Sequence, residues 1–598
     1  MGLPDVKINY IPSDVTALAA DFANIPMVIG PTSAGQDNVP VTITTLSDLA
    51  QLGYGPAVDL AANDLVKSGK TLYFCKSATT TAGTIGSISK VLGNPIGTPV
   101  TIGAGNASMI FTAKIVGQSV TITQRVGNTL ATTATLVAGL LTINLGTDGG
   151  GTPNATPNDV KTVLDGVAGV SSAMTYVPGG TGLGIMQAAA NTVLPFGSTG
   201  AATSSGTSNN NYTITVKCTK AGTIGANPSP YVIWSYDGST NYNFDTLIPS
   251  TGVLPIKDSR CDSSVILTFT GALDVGDTFT FTTTAPKSSV SAITTAMQAG
   301  IADSTRLFGH FQIVASMSRN DAVAIDAILQ GVKGTKFLQG MIHTRDQAEG
   351  VANETTAAYQ AALSADFAGF LSVSGPLSVC AGAISVQSQL TLLIHRVPHL
   401  FGEGPNRANA DVHESIGDKP LAFLAVNPID GKQIYYDDNV TPGLDTQRFI
   451  VPRSFKSKPG VYRSNRGWTM SDPNLLGYDR TDYVNMIFSS AKIVNDVVFD
   501  ELMNKASAIP KPQGGAPAGA IEVTYAKKIE SKCKSALRNF WLRPKKDGDA
   551  SAVDIENPVI VLRNYSFAAT RELRLVGAVQ PRTTIESIVY NQTVSIPQ

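Results

Sequence analysis

Four stretches in this 598-residue chain have residue types and spacings that could do chemistry. His395, His399 and Glu403 fall at i, i+4 and i+8, with His413 close by. On a helix they would share a face and could bind zinc, which accepts imidazole and carboxylate ligands. Pro398 lies inside the span and breaks that helix, so no metal site is expected. Ser68-Gly69-Lys70-Thr71 has the tail of a phosphate-binding loop. The motif needs a further glycine at position 64, so that backbone N–H groups can surround phosphate. Asp64 stands there, and the stretch reads as a helix C-cap leading into a strand. Gly179-Gly180-Thr181-Gly182-Leu183-Gly184 lacks the strand-then-helix setting of a dinucleotide fold and reads as a loop. Asp437-Asp438 is a solvated turn or a cation site. No HExxH, no GxSxG and no ordered pair of acids occurs. No catalytic residue, no cofactor and no metal ligand is expected, and the chain is read as a non-enzyme.

A basic cluster has a different character. Lys527, Lys528, Lys532, Lys534, Arg538, Arg543, Lys545 and Lys546 crowd one helix and its exit, against Glu530 and Asp547. This is either a solvated polar face or an electrostatic contact to an acidic partner. Exposed ion pairs are worth only about 0–1 kcal/mol each. As partner contacts they would act as a set.

The elements that must position these residues form several domains. A chain of this length exceeds one core. Its charged fraction is 15%, low for a globular protein, and its net charge is −1. That balance argues against direct nucleic-acid binding. No apolar run is long enough for a membrane helix, and no secretory signal is visible at the start. Cys75, Cys218, Cys261, Cys380 and Cys533 are scattered, which fits free buried thiols in a reducing compartment, with a Cys218–Cys261 bridge as the alternative.

Along the chain, residues 27–29 read as a buried strand. A strand from Val39 follows, then a short helix capped by Ser47 or Asp48, a helix over 58–67 and a strand over 71–75. From Ser77 to Pro286 the composition turns to Thr, Ser, Gly, Val and Ile, with little charge. This reads as inserted material in two units. The first has strands near 108–116, 118–125 and 140–145 and a helix over 158–167. The second is a small β-sandwich, in which Tyr212, Ile214 and Val216, and later Phe279 and Phe281, alternate with polar residues. The stretch 196–211 reads as a linker. Beyond 288, helices at 321–331 and 347–365 alternate with strands at 308–315, 337–342, 390–394 and 422–426. Residues 482–502 form an amphipathic helix, and 510–517 a Pro/Gly linker. A helix over 522–542 turns Val523, Ala526, Ile529, Cys533, Leu537, Phe540 and Trp541 inward. Strands near 559–563 and 572–576 and a tail strand over 584–596 close the chain.

The segment PMVIGPTSAGQDNVPVTITTLSDLAQLGYG, residues 26–55, resembles the N-terminal region of phage contractile-tail sheath proteins. There a strand leads through a Gly-Pro turn into a Pro-x-x-Ile-Thr strand, a capped turn ending in glycine, and a helix. The helix–linker–basic helix–paired strands of 455–598, preceded by Gly460-Val461-Tyr462 and Arg466-Gly467-Trp468, resemble the C-terminal sheath domain. The resemblance covers about 10–80 and 455–598. It implies an α+β multidomain fold: a mixed α/β sheath core formed by N- and C-terminal parts, with inserted all-β, sandwich-like domains. The expected divisions are 1–80 (core segment with a connecting arm over 3–16), 81–195 and 196–287 (inserted domains), 288–454 (α/β core) and 455–598 (C-terminal domain). The implied function is that of a structural subunit, a homo-oligomer in stacked rings forming a helical sheath around an inner tail tube. Contraction would drive the tube through the host envelope. Baseplate and tail terminator proteins would be further partners, and the tube contact would fall to Lys527, Lys528, Lys532, Lys534 and Arg538. The location would be the virion tail, assembled in the host cytoplasm. The alternatives are the sheath of a phage-derived injection particle or secretion system, and a β-rich virion surface-binding protein.

Overall fold

The computed structural model describes residues 21–541, apart from 94–96, 116, 195–199, 239–240, 334, 348, 350, 352, 374, 411–413, 415, 418, 422, 425–429, 434–435, 438–442, 456–457, 473–477 and 506–522; beyond 541 it describes 553–554, 559–561, 575–577 and 580–581. The expected arm over 3–16, the linker over 510–517 and the tail strand over 584–596 lie outside the described residues. The chain divides into two compact units: Ile85–Ser208 with Tyr212–Thr283 form the second, and the rest, including Asn209–Asn211, belongs to the first.

The first unit is built on a six-stranded sheet. Its strands are β1 (Pro26–Gly30), β2 (Pro40–Ile43), β3 (Leu72–Lys76), β4 (His310–Ser316), β5 (Gln339–His343) and β6 (Leu377–Cys380), in the order β2-β3-β1-β4-β5-β6. Only β2 runs antiparallel to its neighbour; the other pairings are parallel. A parallel sheet needs helical crossovers and is covered on both faces, so its strands read as unbroken apolar runs. All five residues of β1 and of β5 are buried.

Among the described residues seven α-helices belong to the unit, beside further short strands: α1 (Pro56–Ser68), α2 (Val290–Ala302), α3 (Arg319–Val332), α4 (Thr356–Asp366), α5 (Leu400–Asn409), α6 (Thr481–Lys505) and α7 (Val523–Trp541). Met27 and Ile29 point to the face covered by Ile293 and Met297 of α2 and Ile325 and Leu329 of α3. Val28 points to the face covered by Val58 and Leu65 of α1 and Leu400 and Phe401 of α5. Gly69 ends α1 in the left-handed region, at φ 64°, with its N–H bonded to Leu65 O. The phosphate-loop look-alike is therefore a helix stop before β3.

Several local expectations shift. The turn Leu46–Leu52 is a 3-10 helix whose N-cap is Thr45; Asp48 is its third residue and closes a capping box. Asp48 accepts the Thr44 and Thr45 N–H groups at 2.8 Å each, which lowers its carboxyl to about 2. The helix expected over 347–365 begins only at Thr356, where Thr355 caps it. The strand expected over 390–394 starts at Ile394, because Ser388–Leu393 close a turn through Ser388 N to Leu393 O at 2.8 Å.

In the second unit, strands Met109–Ala113, Ser119–Gln124 and Leu140–Leu145 and helix Pro157–Asp165 enclose one apolar core. The other core lies under Thr213–Lys220 and Thr278–Thr284. Ile214, Val216, Phe279 and Phe281 are buried, and Phe269 meets Phe279 edge-on at 5.4 Å. The short strand Ser89–Val91 pairs with Thr278–Thr284. The first strands after the chain enters this unit therefore lie beside the last before it leaves. Residues 200–211, the described part of the stretch expected as a linker over 196–211, are not a linker. Ala201–Gly206 is a strand paired with Asp262–Thr270, and Ser208, Asn209 and Asn210 are buried. Its serine and threonine side chains look loop-like in sequence, yet they alternate along an edge strand. All five cysteines are free and buried. Cys261 Sγ lies 3.0 Å from the Tyr212 hydroxyl, and Cys218 Sγ donates to Lys220 O at 3.2 Å, so neither reaches the other.

Asn210 donates to Asp59 Oδ2 in the first turn of α1 at 2.7 Å, and Ser388 donates to Asp59 Oδ1. Replacing Asn210→Ala strands one oxygen of this buried carboxylate. We expect a loss of about 1–3 kcal/mol, measured as a lower denaturant midpoint with an unchanged m-value.

Candidate functional site

In open α/β sheets ligands bind outside the carboxyl ends of the strands, where the strand order reverses. That point lies here between β1 and β4. The crevice is filled by the chain itself. A Cβ on Gly30 would lie 2.7 Å from Ala57 Cβ and 3.3 Å from Val314 Cβ. Ser77 N–H donates to Gly30 O at 3.2 Å, and the Ser77 and Ser288 hydroxyls meet at 2.8 Å. Asn209 O lies 3.6 Å from where a Gly55 Cβ would stand. Ser316 donates to Glu349 Oε2 at 2.6 Å, and Lys287 pairs with the same carboxylate. Hydrogen bonds that a phosphate would take are taken by side chains and backbone on the flanks of the inserted unit.

The polar residues of α5 lie on the buried side of that helix. His395 sits in strand Ile394–Pro398, and His399 immediately precedes α5, so the three-residue helical face does not form. His399 Nδ1 bonds Ile450 O at 3.2 Å, and burial lowers the ring to about 4, leaving it neutral. Ser464 donates to Glu403 Oε2 and sits 3.5 Å from His399 Nε2. Burial raises Glu403 to about 7. His413 lies outside the described residues, as does Asp438. Among the described residues no three His, Cys, Asp or Glu side chains converge as a metal site.

A chain of buried amides runs on from Arg407. Its Nη2 donates to Gln339 Oε1 at 2.6 Å, Gln339 Nε2 donates to Asn485 Oδ1 at 2.8 Å, Asn485 donates to Asn24 at 3.1 Å, and Asn24 donates to Ala410 O at 2.6 Å. This chain ties β5, α5, α6 and the segment preceding β1. A second chain crosses the sheet. His310 Nδ1–H donates to Ala23 O at 3.3 Å, and its Nε2 accepts from Gln312 Nε2 at 3.2 Å. Gln312 also meets Asp64, whose carboxyl burial drives well above the ordinary range. With Asp64 ionised, both its oxygens and Gln312 Oε1 have no donor. Burial favours the neutral acid, which carries no charge to desolvate, over the carboxylate. Gly404 of α5 permits this approach, since a Cβ there would lie 2.6 Å from Gln312 Oε1. Sequence reasoning missed this network. Its one signal was charge on apolar helix faces, Asp64 between Ala61 and Leu65, and Arg407 in α5.

The basic helix packs on α6. Tyr525, Ala526, Ile529, Cys533 and Leu537 are buried against Met486, Ile493, Val498 and Ala23. Phe540 is partly buried, Val523 is half-exposed at the helix start, and the Trp541 side chain lies outside the described residues. The five basic candidates divide. Lys528 Nζ lies 3.5 Å from Glu501 Oε2, and Lys532 pairs with the same carboxylate, which is 1% exposed in α6. Lys527 and Arg538 are exposed, and Lys534 is half-buried. With Ser531, these three fall at i, i+4, i+7 and i+11, one stripe of the helix. Arg543, Lys545 and Lys546 lie outside the described residues.

No family model matches the chain, and no curated protein matches it. Among solved structures, a sheath tail protein from Listeria innocua aligns over 93% of this chain and 91% of its own, with a TM-score of 0.40 and 10% identity. A sheath tail protein from Desulfitobacterium hafniense aligns over 96% of this chain and 100% of its own, with a TM-score of 0.35 and 12% identity. A chain of the anti-feeding prophage baseplate aligns over 52% of this chain and 76% of its own, with a TM-score of 0.30 and 9% identity. At such TM-scores the likeness is loose.

The Asp64 arrangement has a pH signature. A carboxyl raised above its ordinary 3.8 in the folded state stabilises fully below that pH and loses this contribution as pH rises toward the folded value. Asp64→Asn is uncharged at every pH and does not titrate. We expect the melting temperature of the variant relative to wild type to climb as pH rises above the ordinary carboxyl range of about 4, read by calorimetry.

Proposed function

We propose that this chain is the structural subunit of a contractile tail sheath, polymerising around an inner tube and shortening to drive it forward. The observation that carries the reading is the packing of the two stretches that resemble sheath proteins. Asn24, from the N-terminal stretch, accepts from Asn485 of α6, and Lys492 of α6 lies 3.5 Å from the centre of the Phe22 ring. Segments separated by most of the sequence thus form one unit, as the reading requires. The filled crevice at the strand ends agrees with a role in assembly. Among the described residues no helix is long and apolar enough to cross a membrane.

In this reading, copies of the chain stack in rings, and residues 3–16 and the C-terminal strands join neighbouring subunits by strand addition. Added apolar contact, worth roughly 25 cal/mol per Å², drives contraction without nucleotide hydrolysis. The stripe of Lys527, Lys534 and Arg538 faces an acidic tube surface. Lys528 and Lys532 hold α7 on α6 through Glu501 and contribute to the tube only as background charge. Baseplate and terminator proteins cap the ends.

The division of the basic residues supplies the test. The triple variant Lys527→Glu, Lys534→Glu, Arg538→Glu should melt within a few degrees of wild type and lose most co-sedimentation with the cognate tube at low salt. The double variant Lys528→Glu, Lys532→Glu places three carboxylates together and should lower the melting temperature. Raising ionic strength should weaken the wild-type contact. A triple variant that decorates tubes as well as wild type in electron micrographs removes the tube assignment. Failure of the wild-type chain to form rings or tubes removes the sheath reading itself.

A further inference from the structure

The sandwich of the second unit has one face with no core beneath it. Along Thr213–Lys220 the inward residues Ile214 and Val216 are buried, and the outward ones are Thr213, Thr215 and Lys217. On the neighbouring strand the outward residues are Thr278 and Thr280. The register sets Thr215 opposite Thr280 and Lys217 opposite Thr278. These residues floor an open groove of about 620 Å³, with Tyr242 also in its lining. Ligand clefts typically span about 300–1,000 Å³. Thr215 is 5% exposed, and its hydroxyl reaches only Thr280 Oγ1, at 3.5 Å. Gly93 and Gly276 line the wall beside Thr278, and a Cβ on Gly93 would collide with Gly276 backbone at 2.1 Å.

We propose that this groove binds an acidic oligosaccharide. Threonine hydroxyls donate and accept by rotation, as sugar hydroxyls do, so a ladder of them matches a ring's polar edge. Tyr242 supplies an aromatic face for the apolar C–H face of the sugar. Lys217 is exposed, no carboxylate is among the lining residues, and Lys217 has no ion-pair partner among the described residues. The groove is therefore complementary to one negative charge. A nucleic acid would demand several cations along its track, and a lipid chain would demand an apolar lining. Neither fits one lysine on a floor of hydroxyls. This assignment is independent of the sheath reading.

The test titrates the full chain with cellobiouronic acid, which carries one carboxylate, and, separately, with cellobiose, which has a hydroxymethyl group in its place, by calorimetry. Cellobiouronic acid should bind. Lys217→Ala and Tyr242→Ala should each weaken it about tenfold or more, with unchanged melting temperatures because both side chains lie outside the core. Thr280→Val, which keeps the shape and removes the hydroxyl, should weaken it too. Absence of binding overturns the proposal, as does binding that the three variants leave unchanged. Equal affinity for cellobiose overturns the acidic specificity.

Discussion

The pairing of β1 with β4 joins residues on either side of the inserted unit, Met27 with Phe311 and Ile29 with Ile313. Every residue of β1 is buried, so its N–H and C=O groups find no water. They must be bonded on both edges. β3 satisfies one edge from nearby sequence, whereas the other edge waits for a strand that follows the whole insertion. The insertion must therefore return the chain close to where it left. It does so by its own pairing: Ser89–Val91 lies against Thr278–Thr284, and Thr80 and Thr81 N–H groups bond Lys287 O at 2.9 and 3.0 Å. A folded insertion with adjacent ends closes like a short loop, and closure cost grows only slowly with length in any case. The central sheet thus tolerates a large insertion without sacrificing its middle pairing.

The same constraint explains why the interior of the first unit carries so much polarity. Strands β1 to β6 fix the sheet, yet α5 and α6 arrive from distant sequence and need orientation as well as burial. Apolar packing is non-directional. The amide chain from Arg407 through Gln339 and Asn485 to Asn24 is directional, because each hydrogen bond needs a donor facing an acceptor, although Arg407 Nε and Nη1 have no hydrogen-bond partner among the described residues. Fully buried charge is costly, and replacing such groups with packed apolar ones often stabilises a protein. We read the network as a device for a unique arrangement of helices on the sheet, with its cost limited by keeping Asp64 protonated and His310 neutral.

Legibility in the sequence followed the range of the forces involved. Elements set by short-range pattern were readable: Leu140–Leu145 from its apolar residues, α1 from its glycine stop, α7 from its apolar stripe, and the sandwich strands from Phe279 and Phe281 between threonines. Elements set by distant partners were not. Ala201–Gly206 has the composition of a loop and is a strand because Asp262–Thr270 lies beside it. α5 contains a glycine pair around Glu403 and Pro405, poor helix formers all, and stands because its buried face meets the sheet. The five basic residues of α7 were legible as a cluster. Their separation into two sets was not, because it depends on Glu501, one helix away.

That separation bears on how one helix can be both fixed and releasable. The carboxylate of Glu501 is 1% exposed, so the cations that meet it work in a medium less screening than water. Losing them would leave a buried charge without compensation. The stripe of Lys527, Lys534 and Arg538 is exposed or half-buried, and each contact it makes to another molecule is weak and sensitive to salt. In the proposed sheath, a helix with strong contacts on one side and weak ones on the other would keep its place in the subunit while its outer face exchanged partners. Under that proposal, weak contacts repeated in every subunit would hold by multiplicity and would release together when the spacing of subunits no longer matched the spacing of the partner. Strengthening any one of them would slow that release without adding much to the whole, so modest surface charge, and not a buried ion pair, is the arrangement that suits a moving contact.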